Sequence, residues 1–206
     1  MIRKLQTSAR KQARQARSQQ TVEAILAGGA RVLKSHGYAH ASTNRIAEAA
    51  GVSVGSLYQY FPSKEAIVAA LIERHIEHVF ETLRGRFAAL ASAPLPIAVR
   101  QLVEAFFDAA AVDPKLRRVF IEEVPRIGKL QQWKRVEEKV IALVLPYLAS
   151  QASLARRPHL ELTCFVLVHA TAALTYEAQR QPGRFDKAAL LDELTALIVG
   201  HLGAQR

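Results

Sequence analysis

Apolar residues recur every three or four positions along almost the whole chain, which is the periodicity of helices with one buried face. Val22, Ile25, Leu26, Val32 and Leu33 stripe a first helix that ends near His36-Gly37. Ile46, Ala47 and Ala50 mark a short second one, and Leu57 and Phe61, four apart, a short third. A long fourth follows Pro62 with Ile67, Val68, Leu71, Ile72, Ile76, Val79, Phe80, Leu83 and Phe87 on its apolar side. After a loop at Ala91–Pro96, Leu102, Val103, Phe106 and Phe107 mark a fifth. Asp113-Pro114 is a helix start, a capping residue before a first-turn proline, and Pro125 and Gly128 close that element. Trp133 to Ser150 reads as helix, with Pro146 expected to kink or cut it. Leu160 to Gln179 is apolar nearly all round between Cys164 and Leu174, the pattern of a buried helix. Pro182-Gly183 breaks it, and Asp186 caps a last helix carrying Leu190, Leu191, Leu194, Leu197 and Ile198. The expectation is an all-α protein of about nine helices.

The stretch from Ala41 to Lys64 carries the chemistry. Ser42 or Thr43 offers a hydroxyl to the orphan N–H groups of the second helix. Gly51 stands where the chain must leave that helix sharply, a conformation glycine reaches without a Cβ clash. Ser53 caps the third helix, and Leu57 and Phe61 point into the small core. This leaves Val54, Gly55, Ser56, Tyr58, Gln59 and Tyr60 on or near the outer face. Two short helices joined by a glycine turn, with small polar and tyrosine side chains outward on the second, describe a helix-turn-helix that enters the major groove of DNA.

Gly51-Val52-Ser53-Val54-Gly55 also fits the G-x-S-x-G pattern of a hydrolase nucleophile. That elbow must follow a β-strand, and the residues before Gly51 are helical and alanine-rich. No phosphate-loop, dinucleotide or zinc-protease pattern is present. His75 and His78 lack a third ligand in the pattern, and neighbouring carboxylates such as Glu122 and Glu123 read as helix surface. No catalysis, cofactor or metal is expected.

The block Gly51-Val52-Ser53-Val54-Gly55-Ser56-Leu57-Tyr58-Gln59-Tyr60-Phe61 followed by Ser63-Lys64-Glu65 resembles the DNA-binding domain of TetR-family transcriptional regulators. The resemblance is specific over Thr21 to Leu71; beyond that it rests on length and helix order. It implies a homodimer whose first three helices bind DNA and whose C-terminal helical domain binds a small molecule and dimerises. It also implies roles for individual residues. Ser42 and Thr43 match the phosphate-touching start of the second helix, and Ser53 to Gln59 the recognition helix. Tyr58 and Tyr60 match positions that reach backbone or bases, and Lys64 the phosphate-contacting lysine that opens the fourth helix. Asn44 and Val54 depart from the family pattern, which more often carries a basic residue at the first and lysine at the second; Asn44 retains a donor for phosphate. The resulting division is a basic flexible arm at 1–19, a helix-turn-helix domain at 20–66 and a regulatory and dimerisation domain at 67–206.

Charge agrees with a polyanion partner. Residues 1–64 hold ten Lys/Arg against Glu23 and Glu48, a net +8 of the chain's +10. The first nineteen residues contain six of those bases, no acid, and much Gln, Ser and Ala, too polar to bury. The lone cysteine, Cys164, excludes an intrachain disulfide. No apolar run reaches the eighteen or more residues a membrane span needs, and Met1 is followed by basic, polar sequence rather than an export signal. A cytoplasmic protein is expected.

For the C-terminal half, Phe106, Phe107, Trp133, Cys164, His169 and Tyr176 are the candidates to line a ligand site, with His169 and Tyr176 as its polar groups. The last two helices are more apolar than one core needs, which points to a four-helix interface between two copies. Two recognition helices related by a twofold axis would read a palindromic operator with half-sites about one turn, roughly 34 Å, apart or a multiple of it. The competing reading is an all-α ligand-binding or enzymatic protein with a coincidental helix-turn-helix.

Overall fold

The computed structural model describes residues 8–111, 113, 115–116, 119–120, 130–151, 154 and 157–203; for 8–16 and 130–137 it describes the backbone alone. Among the described residues there are eight full helices and no strand: α1 Ser8–His40, α2 Thr43–Ala50, α3 Val54–Tyr60, α4 Lys64–Ala89, α5 Leu95–Ala110, α6 Leu130–Ser150, α7 Leu160–Arg180 and α8 Lys187–Gly203. Residues 115–116 and 119–120 are helical as well. No described helix is long and apolar enough to cross a membrane.

The described residues form two compact units, those within Met1–Ile72 and Lys115–Gly128 and those within Glu73–Pro114 and Lys129–Arg206. The first unit is built on α1 to α3 and the start of α4. Gly37 interrupts α1 with φ 69° and ψ 175°, where the sequence ends its first stripe. At the other end, the helical backbone of α1 begins at Ser8, so no break in secondary structure falls at residue 19. Ile25, Leu33, Ile46, Leu57, Ile67 and Val68 are fully buried and form the core that holds the two short helices. Neither α2, at 8 residues, nor α3, at 7, would persist alone. A close crossing brings α1 against α2. A Cβ built on Gly28 would lie 2.8 Å from the Ala50 amide nitrogen and 3.0 Å from its Cα.

In the second unit, α5 packs against α8 and α6 against α7. Val99, Val103, Leu148, Cys164, Leu167, Leu191, Leu194, Ile198 and Leu202 make one buried cluster. Asp186 caps α8 as expected, its carboxylate accepting from the Ala189 amide at 3.0 Å. At the opposite end Arg157 donates to the carbonyls of His201 and Leu202 at 2.8 and 2.9 Å, which satisfies orphan acceptors with a cation at the negative helix pole.

Of the kink or cut expected at Pro146, the cut does not occur, since α6 runs through it. The bond it removes is to the carbonyl of Ala142, an exposed residue, while Leu148 beside it is held in the core. Nor is α7 buried all round in a single chain. It buries Thr163, Cys164, Leu167, Thr175 and Gln179, whereas Leu162, Phe165, Val166 and Leu174 are exposed. Leu162, Phe165 and Val166 lie at helical spacing on another face, while Leu174 continues the line of buried Leu167 toward the end of the helix, so the apolar excess of α7 covers two faces rather than one.

Candidate functional site

The turn between α2 and α3 is built from local hydrogen bonds that its residue types require. Ser42 caps α2, Oγ accepting from the Arg45 amide at 3.3 Å. Gly51 adopts φ 68° and ψ 30°, the left-handed region. Its amide donates to Glu48 O and the Val52 amide to Ala47 O, each at 3.0 Å, the paired bonds of a Schellman stop. Ser53 then caps α3, Oγ accepting from the Ser56 amide at 3.0 Å and lying 2.8 Å from Ser56 Oγ. Arg31 of α1 donates to the carbonyl of Ala49, which ties the end of α2 to the brace helix. A serine that caps a helix after a helical turn has no strand behind it, so the G-x-S-x-G elbow geometry does not form.

The inner side of α3 is anchored by Leu57, fully buried, and by Phe61 at its end. Burial of one such leucine is worth about 1.5–3 kcal/mol. Outward stand Ser53, Val54, Gly55, Tyr58 and Gln59, all exposed, with Ser56 and Tyr60 half-buried. Tyr58 is 52% exposed, and its Oη lies 3.0 Å from Thr43 Oγ1. That bond unites the first residue of α2 with the middle of α3, so the proposed phosphate-touching and groove-reading positions share one surface. Ser42 and Asn44 are exposed beside it.

Lys64 has a different setting. Its Nζ donates to the Tyr38 carbonyl at 3.1 Å and sits 4.2 Å from the centre of the Tyr38 ring. The ammonium has two further protons to offer, but its place is set by Tyr38. Tyr38 Oη in turn donates to Glu65 at 2.8 Å. Partial burial pushes the Glu65 carboxyl up. Hydrogen bonds from backbone, Tyr38 and Ser63, with the charge of Lys64, outweigh that and hold it below its ordinary 4.5. A carboxylate whose folded value is depressed stabilises at pH above the unfolded value and loses that contribution as pH falls through the folded one. The stability difference between wild type and Glu65→Gln, followed by urea unfolding, is therefore expected to be full at neutral pH and to shrink below pH 4.5. A pH-independent difference would remove Glu65 from this account.

The sequence reading overlooked Tyr38, which orients both Lys64 and Glu65 from 26 and 27 residues away. It also overlooked Arg45, exposed next to Asn44, with its guanidinium on the His40 carbonyl at 2.8 Å. Arg45 was legible as a basic residue in the first turn of α2; Tyr38 had no local signal.

In the second unit a cavity of about 170 Å³ opens among α4, α5, α6, α7 and α8. Phe106 and Tyr176 line it, their rings edge-to-face with centroids 6.1 Å apart. The other ligand candidates stand elsewhere. Phe107 packs on the core beneath Lys187. Cys164 is fully buried, and burial pushes its thiol up, with Glu161 adding to the effect. His169 lies against Phe165, ring centres 4.0 Å apart, its Nδ1 2.8 Å from the Phe165 carbonyl. The side chain of Trp133 falls outside those described. Tyr147, on the cavity wall, was not among the candidates.

Residues 25–71 match the family described as bacterial regulatory proteins of the tetR family, and residues 94–202 match tetracyclin repressor-like C-terminal domains. The chain belongs to the TetR family. It is 27% identical over 166 residues to the HTH-type transcriptional regulator EthR of Mycolicibacterium smegmatis, covering 78% of this chain and 76% of that protein. A shorter match, 43% identical over 70 residues, is to the nucleoid occlusion factor SlmA of Actinobacillus pleuropneumoniae; it covers 34% of this chain and 31% of SlmA. In fold, the chain is similar to the fatty acid degradation regulator FadR from Bacillus halodurans, with a TM-score of 0.70 at 21% identity over 89% of this chain and 97% of that one. As a TetR-family member the protein is a DNA-binding transcriptional regulator, and the surface around Tyr58 lies in its matched DNA-binding segment.

Proposed function

We propose that this TetR-family regulator is a repressor. In this reading it binds a palindromic operator as a homodimer and leaves it when a small molecule occupies the C-terminal cavity. The observation that carries the DNA half is the single exposed surface shared by Thr43 and Tyr58, on the third of the chain that holds most of its positive charge. Ser53, Val54, Gly55, Ser56, Gln59 and Tyr60 face the major groove, while Ser42, Thr43, Asn44, Arg45 and Lys64 meet phosphates. Residues 20–66 form the reading domain, and 67–206 the regulatory and dimerisation domain. The basic stretch 1–19 lies along neighbouring phosphates or in the adjacent minor groove. Dimerisation is supported by the exposed large apolar side chains Leu162, Phe165 and Val166 on α7 and Leu197 on α8. Ligand control needs little energy, since a hundredfold change in operator affinity is about 2.7 kcal/mol of coupling between the sites. The protein acts where the chromosome is, in the cytoplasm.

The test is selection of duplexes from a random pool, followed by gel shift against excess nonspecific DNA across a salt series. Specific binding to a palindrome that survives the competitor supports the reading. Log affinity is expected to fall linearly with log salt, by about 0.9 for each phosphate neutralised, and deletion of residues 1–19 should flatten the line. Failure to bind any duplex tightly at low salt would favour the all-α ligand-binding or enzymatic alternative.

A further inference from the structure

The wall of the C-terminal cavity is almost wholly hydrocarbon. Val79, Leu83, Val103, Val144 and Ile198 are typical of it, and no Asp, Glu, Lys, Arg, His, Asn or Gln lines it among the described residues. Its lining residues all stand within α4 to α8, where backbone N–H and C=O groups bond one another. Tyr147, Thr171 and Tyr176 bring the wall's hydroxyls. That of Tyr147 is itself buried, out of a ligand's reach. Tyr176 stands edge-to-face with Phe106, and Thr171, inside α7, has a carbonyl of its own helix four residues back to turn to. A ligand therefore meets carbon on nearly every side.

The room lies against the inner face of α7. On that face Cys164 and Thr175 are 0% exposed and Leu167 is 8% exposed. Thr171 stands among them at helical spacing, one turn from Leu167 and one from Thr175, yet is only half-buried. The surface it keeps open faces the cavity it lines. The volume, about 170 Å³, is close to the roughly 150 Å³ of a dry apolar cavity that takes up benzene. An ion moved into such a space loses its hydration with no counter-charge to replace it, and an uncharged hydroxyl or carbonyl loses its water with no partner in return.

We infer that this cavity takes an uncharged hydrocarbon group, a single ring bearing a short alkyl chain or a branched chain of that bulk, held by fit and desolvation alone, so that a polar atom on the part inside weakens binding. Thr171 sets the depth of the space. This rests on the proposal that the domain is ligand-controlled, and deepens it to a chemical class.

The test uses the full-length protein, without DNA, and four probes: toluene, ethylbenzene, benzyl alcohol and benzoate. Calorimetry or ligand-observed NMR gives the affinities. Ethylbenzene is expected to bind about fourfold tighter than toluene, which is one CH₂ shorter. Benzyl alcohol, nearly the shape of ethylbenzene, is expected to bind about tenfold weaker than it, and benzoate not measurably at neutral pH. Thr171→Phe should abolish ethylbenzene binding by filling the space, whereas Thr171→Val, close to threonine in shape, should leave it no weaker. Circular dichroism checks that both variants fold; should Thr171→Phe fail to, the probe series and Thr171→Val decide. Benzyl alcohol binding as tightly as ethylbenzene, binding of benzoate, loss of ethylbenzene binding in Thr171→Val, or no binding of ethylbenzene up to its solubility would each overturn the inference. So would undiminished ethylbenzene binding in a folded Thr171→Phe. Operator release is read separately. Ethylbenzene binding that leaves the protein on DNA upholds the cavity's chemistry and rejects ligand control; release by charged compounds alone does the reverse.

Discussion

Gly28→Ala is expected to destabilise the DNA-binding unit by about 1–3 kcal/mol, the usual cost of forcing an extra methyl into a packed contact, and to weaken operator binding with it. The added Cβ would lie 2.8 Å from the backbone nitrogen of Ala50 and 3.0 Å from its Cα and Cβ. No rotamer change relieves a contact with backbone, so α1 and the end of α2 must move apart. Ala50 directly precedes Gly51, whose left-handed geometry aims α3. A shift there displaces the groove-reading face as a body. Gly85→Ala is the matched control. Gly85 lies inside α4, and a methyl added to it would meet nothing within 4 Å, so alanine there is expected to stabilise by about 0.5–1 kcal/mol. Urea unfolding together with hydrogen exchange at the α2 and α3 amides separates the two. Gly28→Ala with wild-type protection of α2 and α3 would show that the close crossing is not needed.

Tyr58→Ala is expected to lower operator affinity on the order of a hundredfold while changing folding stability by less than about 0.5 kcal/mol. The stability side follows from exposure: at 52% exposed, Tyr58 contributes little to the core, and surface substitutions of this kind are nearly neutral. The affinity side follows from symmetry. A hydroxyl donating to a phosphate oxygen is worth about 1.5 kcal/mol, and a dimer loses it at both half-sites, about 3 kcal/mol together. Tyr58→Phe isolates the hydroxyl and also breaks the bond to Thr43 Oγ1. Fluorescence anisotropy on a selected operator gives the measurement. Binding within threefold of wild type would take Tyr58 off the interface. Lys64→Ala is a less clean substitution. It removes a contact with the Tyr38 carbonyl and ring as well as a positive charge, so weakened binding could come from the lost support.

Much of this was legible from residue order because it is decided within four or five positions along the chain. The serine caps at Ser42 and Ser53, the glycine stop at Gly51 and the buried pair Leu57 and Phe61 all follow from local bonding and helical spacing. Outward residues of α3 were obtained by subtraction from the buried ones. Where the reading failed, a local rule met a non-local partner. Pro146 reads as a residue that kinks or cuts a helix, and α6 continues through it. Gly28 carries no local signal of its role, which is to let α1 and the end of α2 touch. Phe107, Cys164 and His169 have the character of ligand-site residues, and helix rotation places them off the wall of the cavity, toward the core or on another face.

The order of residues alone determined an all-helical chain, the position of its helix-turn-helix and the concentration of positive charge around it. Periodicity, capping and composition are sums over neighbours, and neighbours are what a sequence states directly. Only the tertiary structure decided that Tyr38 holds Lys64 and Glu65, that Thr43 meets Tyr58, and that Tyr147, Thr171 and Tyr176 stand on the wall of one apolar cavity. Each of these depends on how helices distant in sequence are rotated against one another, and that rotation is set by the packing of whole faces.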